Sequence, residues 1–273
     1  MNRRTLILAA VALAVAGAPA AAQRFEPTRF SVEVRGQGPD VILIPGLTAG
    51  RDVWRATAAA LPGYRYHLIQ VAGFAGEPSR GNRSGPVVAP LADELARYIA
   101  DRQLVRPAIV GHSMGGTIAM MIAARRPDLA GRIMVVDMLP EPTGLFGGSA
   151  SSWAPLARLI GSPGGSRLFG SLMDVFSPPG SGGRNSDPAV VSRATHDLMT
   201  VDLTPQLPRI RAPLTIVYAS PDRQANAAID RSFARAYASA RNARLVRVDG
   251  SGHMVMLDQP ARFRVALREF LSR

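Results

Sequence analysis

The stretch Pro107-Ala108-Ile109-Val110-Gly111-His112-Ser113-Met114-Gly115-Gly116 decides the fold. Residues 107–110 form a short apolar run of the kind found in strands buried on both faces. From Met114 an apolar helical segment runs to Arg125, where the following Pro127 stops it. Between strand and helix lies Gly111-His112-Ser113-Met114-Gly115, a match to G-x-S-x-G. A serine on such a strand-to-helix turn adopts a strained backbone and projects its hydroxyl above the sheet edge. The helix N-terminus favours negative charge developing at the same point.

Outward from this turn the chain repeats the alternation. Residues 31–34 alternate apolar and polar as an edge strand, and Val41-Ile42-Leu43-Ile44 is a continuous apolar strand closed by Pro45-Gly46. Further strands are expected at 66–71, 133–136, 214–218 and 244–248, with helices near 87–102 and 259–271. Strands alternating with helices imply the α/β class, a mostly parallel sheet with helices on both faces. One segment interrupts the pattern. Residues 144–183 hold 10 Gly, 8 Ser and 4 Pro, yet Leu168, Phe169, Leu172, Met173 and Phe176 recur at helical spacing. Asp187-Pro188 reads as an N-cap with Pro at the first helical position. Residues 138–212 are therefore expected to form a helical cap, or lid, inserted into a core of 23–137 and 213–273.

Composition excludes several functions. The chain has 273 residues, 47% hydrophobic and 19% charged, enough for a sizeable core. There is no cysteine, which removes disulfides, thiolate metal sites and a thiol nucleophile. All 32 basic residues are arginine, so a catalytic lysine and a Walker lysine are absent too. The net charge of +12 is spread rather than clustered, with Arg3-Arg4 and Arg125-Arg126 the adjacent pairs. It reads as a solvated basic surface with weak attraction to an anionic envelope, not as a nucleic-acid site.

The N-terminus reads as an export signal. Arg3-Arg4 precede an apolar stretch over 6–16, and Ala20-x-Ala22 supplies small residues before Gln23. Residues 1–22 are expected to be cleaved after Ala22, which places the mature protein in the periplasm or outside the cell. No other apolar run is long enough to span a bilayer.

A serine nucleophile needs a base and an orienting carboxylate. Of the four histidines, His67 lies in an expected strand, His196 in an expected cap helix, and His112 beside the nucleophile, pointing away from it. His253 remains, on the glycine-rich Gly250-Ser251-Gly252 loop between the last strand and the last helix. The acid is expected at the carboxyl edge of the sheet. Asp222, in Ser220-Pro221-Asp222, is the preferred candidate, with Asp137 at the end of strand 133–136 as the alternative.

The order Ser113, Asp222, His253 and the elbow Gly111–Gly115 resemble the α/β-hydrolase superfamily over about residues 32–271. That resemblance implies an oxyanion hole made by two backbone N–H groups, Met114 after the nucleophile and Leu47 after Pro45-Gly46. Ala72-Gly73-Phe74-Ala75-Gly76 is similar to the family's loop bordering the pocket. Phe74, Met138 and Met254 lie near these loops and suggest an apolar, adaptable acyl pocket, which Trp153 and Phe176 in the cap would extend.

The chemistry expected is serine ester hydrolysis of a small molecule through an acyl-enzyme, with no cofactor and no metal. Lactone, thioester, C–C and peracid reactions use the same three groups, and a non-catalytic ligand-binding protein is the alternative of a different class.

Overall fold

The computed structural model describes residues 25–146 and 185–273. The expected export signal, the helical series from Leu168 to Phe176, and Trp153 lie outside the described residues.

Seven strands form one sheet: β1 (Phe30–Arg35), β2 (Asp40–Ile44), β3 (Arg65–Val71), β4 (Ala108–His112), β5 (Arg132–Val136), β6 (Leu214–Ser220) and β7 (Ala243–Asp249). Their spatial order is β1-β3-β2-β4-β5-β6-β7, with β1 antiparallel to β3 and every other pairing parallel. The strands β2 and β4 to β6 are apolar along their length because both faces are covered. Val41 and Leu43 pack into one core, with Trp54, Phe263 and Leu267. Ile42 and Ile44 pack into the other, with Leu91, Leu95 and Ile118.

The described helices are α1 (Arg55–Ala60), α2 (Val88–Asp101), α3 (Met114–Arg125), α4 (Pro188–Thr200), α5 (Asn226–Ala236) and α6 (Pro260–Leu271), with a single turn at Val255–Asp258 before the last. Every residue of α3 from Met114 to Ala124 is buried, which accounts for its lack of a polar face.

Helix α4 lies in sequence between β5 and β6. Its start is built as the sequence suggests: the Asp187 carboxylate accepts from the N–H groups of Ala189 and Val190, with Pro188 at the first position. The helix is tied to the core by polar contacts. Asp197 Oδ2 accepts from the N–H groups of Val87 (2.7 Å) and Val88 (2.9 Å), capping the N-terminus of α2, which has no cap of its own. Ser186 Oγ bridges the Ala75 N–H and the Thr48 carbonyl. Asp187 N–H reaches the Gly73 carbonyl at 2.7 Å.

The chain leaves β2 toward β3 on one side, while β4 lies on the other. The crevice beyond the carboxyl ends of β2 and β4 is the topological switch point, where ligands of open α/β sheets bind.

Candidate active site

Ser113 follows β4 at that switch point. Its φ of 52° and ψ of −121° put a non-glycine residue in a strained conformation. The turn is held on both sides: Ser113 N–H donates to the Val136 carbonyl (2.9 Å), and its own carbonyl accepts from the N–H of Gly116 (2.8 Å). Glycines are required on either side. A Cβ on Gly111 would stand 2.0 Å from the Gly115 carbonyl oxygen, and one on Gly115 would stand 2.4 Å from that of Ile44.

The loop after β2 lies against the same turn. A Cβ on Gly46 would meet Ser113 Cβ at 3.1 Å, so Leu47 follows directly on backbone that packs against Ser113. Met114 is the first residue of α3, and its N–H has no acceptor within the helix.

His253 stands beyond β7 on a loop tethered at its base. Gly250 N–H donates to the Ser220 carbonyl (2.7 Å), Gln259 Nε2 to the Gly250 carbonyl (2.8 Å), and Arg262 to the Asp249 carbonyl (2.7 Å). The imidazole is half exposed, and its Nδ1 lies 2.7 Å from Asp137 Oδ2.

This corrects the expected carboxylate. Asp222 is exposed and turned back on its own chain, where it accepts from the Gln224 N–H (3.0 Å) as the cap of a short 3-10 turn. Asp137, the alternative, makes the contact to the imidazole. It follows β5 with φ 51°, a backbone that turns the carboxyl inward. Its N–H donates to the Val217 carbonyl (2.7 Å), and its Oδ1 accepts from the Ala219 N–H (2.9 Å), leaving Oδ2 for the imidazole. With Nδ1 bonded to the carboxylate, Nε2 is the ring nitrogen left for a hydroxyl proton.

Two further residues support the site. Tyr237, fully buried, donates its hydroxyl to the Met138 carbonyl (2.7 Å), fixing the backbone directly after Asp137. Burial pushes its phenol well above the ordinary value, so it stays a donor. His112, 2% exposed, places Nε2 2.9 Å from the His253 carbonyl, and the two rings lie 4.7 Å apart. Burial, then the neighbouring His253, push its pKa down to about 3, so it stays neutral. Tyr237 carried no sequence signal beyond being aromatic; His112 was visible by its place beside Ser113.

Phe74 and Met138 are buried in one core with Ile44 and Val190, while Met254 belongs to the core on the other face of the sheet. A cavity of about 550 Å³ opens instead between Leu139–Glu141 and the α5 residues Ala228, Arg231 and Arg235; none of the three lines it. Among the described residues no group of three or more His, Cys, Asp or Glu could hold a metal ion, and no helix is long and apolar enough to cross a membrane.

A parallel sheet with a strained serine turn, a tethered histidine loop and a buried carboxylate defines an α/β protein built like a hydrolase. Residues 41–266 match the sequence profile of the Alpha/beta hydrolase family, and the chain belongs to that family.

Among curated proteins it is 24% identical over 247 residues to a pimeloyl-[acyl-carrier protein] methyl ester esterase of Aromatoleum aromaticum, covering 81% of this chain and 94% of that one. It is 30% identical over 269 residues to the polyketide synthase ThaQ of Burkholderia thailandensis, an alignment covering 87% of this chain but 12% of the synthase. A second methyl ester esterase, from Aeromonas hydrophila, aligns over 40% of this chain and 42% of its own length at 32% identity. The chain thus spans well under two thirds of several relatives it matches.

Solved structures share the fold. An enol-lactonase from Burkholderia xenovorans LB400 superposes with a TM-score of 0.70 at 18% identity, covering 89% of this chain and 96% of that one. A thermophilic esterase from Thermogutta terrifontis gives 0.70 at 22% identity, covering 92% and 98%.

Proposed function

We propose that this protein is an exported serine hydrolase that cleaves a carboxylic ester of a small molecule. The observation that carries the reading is the 2.7 Å contact of Asp137 with His253 at the switch point where Ser113 occupies its strained turn. The Ser113 hydroxyl attacks the carbonyl carbon while His253 Nε2 takes its proton. The Leu47 and Met114 amides stabilise the oxyanion, each worth about 3–4 kcal/mol in such sites. His253 then gives the proton to the leaving alcohol, and the acyl group remains on Ser113. Water, deprotonated by the same nitrogen, releases the acid and restores the serine. Asp137 holds the imidazole tautomer and stabilises its cation.

The half-exposed imidazole beside a buried carboxylate supports this division of roles, since the base must meet substrate and the acid need not. Curated relatives that act on methyl esters support an ester carbonyl as the target. The segment between β5 and β6, with α4 tied over the loops at Gly73 and Thr48, serves as the cap under which an acyl chain would lie. Export rests on residues 1–22. It is supported by Arg3-Arg4, the apolar stretch over 6–16 and the small residues Ala20-x-Ala22.

The test is hydrolysis of p-nitrophenyl esters from acetate to decanoate by the mature protein and by Ser113→Ala. Activity that rises toward medium chains and vanishes in the variant is the expected result. Equal activity in both proteins would overturn the role of Ser113, and inactivity toward every ester would overturn ester hydrolysis. N-terminal sequencing of protein from the extracytoplasmic fraction should begin at Gln23.

A further inference from the structure

We infer that His112 is a positioning residue that holds the backbone of His253 over the nucleophile through the hydrogen bond from its Nε2 to the His253 carbonyl. The inference rests on the proposed role of His253.

The bond is 2.9 Å long and joins residues 141 positions apart, so it ties the β4 turn to the β7 loop. The other tethers of that loop act at Asp249 and Gly250, four and three residues short of the imidazole. At His253 itself the side chain bonds Asp137 and the carbonyl bonds His112. The first fixes the ring's tip and the second fixes its root. Because a carbonyl only accepts, His112 Nε2 must carry the proton, and Nδ1 is then a lone pair. That Nδ1 is buried without a partner, beside the α-carbon of Gly46, where an added Cβ would come within 2.8 Å. An unsatisfied buried nitrogen is costly. The ring is kept neutral by its burial, so it offers a donor without setting a second positive charge 4.7 Å from the catalytic imidazole. An amide or imidazole that donates at this reach is what the position demands; an apolar side chain of similar size would fill the space and leave the carbonyl free.

The test compares His112→Leu, His112→Met and His112→Gln in the mature protein. The apolar variants remove the donor, and glutamine restores an N–H at about the position of Nε2. Ester hydrolysis by the apolar variants should show kcat reduced on the order of 10–100-fold with KM within about twofold, as expected of a misplaced base, and glutamine should recover most of it. A second readout needs no turnover: the low-field proton resonance of His253 Nδ1–H against Asp137 should broaden or vanish in the apolar variants and return in His112→Gln. If the apolar variants and glutamine are equally impaired, or if the apolar variants keep wild-type kcat, the inference is overturned. If the wild type hydrolyses no ester, the resonance alone decides: an unchanged signal in the apolar variants overturns it.

Discussion

Asp137 and His253 lie 116 residues apart in the chain, and their side chains meet at 2.7 Å. The carboxylate comes from β5, next to β4, the strand that leads into Ser113, whereas the histidine loop comes from β7, two strands further on. The loop therefore crosses the end of β6, the strand that carries Asp222, to reach an acid beyond it.

That geometry separates the two aspartates. Asp137→Asn should lower kcat/KM on the order of 10⁴-fold, since the amide favours the wrong imidazole tautomer. Asp222→Asn should stay within a few-fold of wild type, because its carboxylate caps a 3-10 turn. Parallel kinetics on one p-nitrophenyl ester decide between them, and a larger loss in Asp222→Asn would reverse the assignment.

The elbow has no room for a methyl group. Gly111→Ala should destabilise the fold by about 3 kcal/mol or more, because the new Cβ would lie 2.0 Å from a backbone oxygen that cannot give way. Urea unfolding of the variant measures the loss; a midpoint within error of wild type would show that the turn has slack.

Two buried histidines set the acid limb of stability. His112 is pushed down to about 3, and His67 is also lowered, chiefly by burial. Facing His67 are Asp40, Arg65 and Tyr98, and facing His112 are His253 and Asp137. The unfolded chain binds protons on these rings near pH 6.5, and the native chain resists doing so. Their contribution is complete above that pH and is lost as pH falls below it, by up to about 1.4 kcal/mol per pH unit for each ring. The lowered carboxylates, Asp40 and Asp187 among them, enter only near pH 4 and below. Unfolding free energies at pH 7, 6 and 5 should therefore fall, and more shallowly in His112→Gln. A flat profile in wild type would contradict this.

The α4 attachment has its own energy. Asp197→Ala removes the acceptor for two N–H groups at the start of α2 and should cost about 1–2 kcal/mol. Thermal unfolding measures it. Because Asp197 belongs to α4 and the capped amides to α2, the variant should also loosen the contact between the two helices, read as faster amide exchange at Val87 and Val88.

Much of this was legible in the residues. The apolar runs at 41–44, 108–110, 133–136 and 214–218 are strands because only a sheet covered on both faces tolerates them. The Asp187-Pro188 start of α4 and the Ser113 turn were equally visible, being signalled by local chemistry. Helix α5 was not read from the sequence. Phe233 is its one buried hydrophobic residue, so its apolar stripe is too thin to stand out. The choice of acid was also hidden. Asp137 and Asp222 both lie just past a strand, and what separates them is a backbone angle at Asp137 and the nearness of the Gln224 amide to Asp222. Neither leaves a mark on residue type. Phe74, Met138 and Met254 each follow a strand, β3, β5 and β7, and the first two are buried in one core while Met254 is buried in the other.

The amides of Ser113 and Asp137 each complete a rung to the adjoining strand, to the carbonyls of Val136 and Val217. Ser113 and Asp137 are therefore set side by side by the pitch of the sheet, about 4.8 Å from strand to strand, and not by the connections that follow them. The reactive spacing is inherited with the backbone ladder. Substrate preference can then drift through the connections between the strands, while the spacing of these two residues stays where the sheet put it.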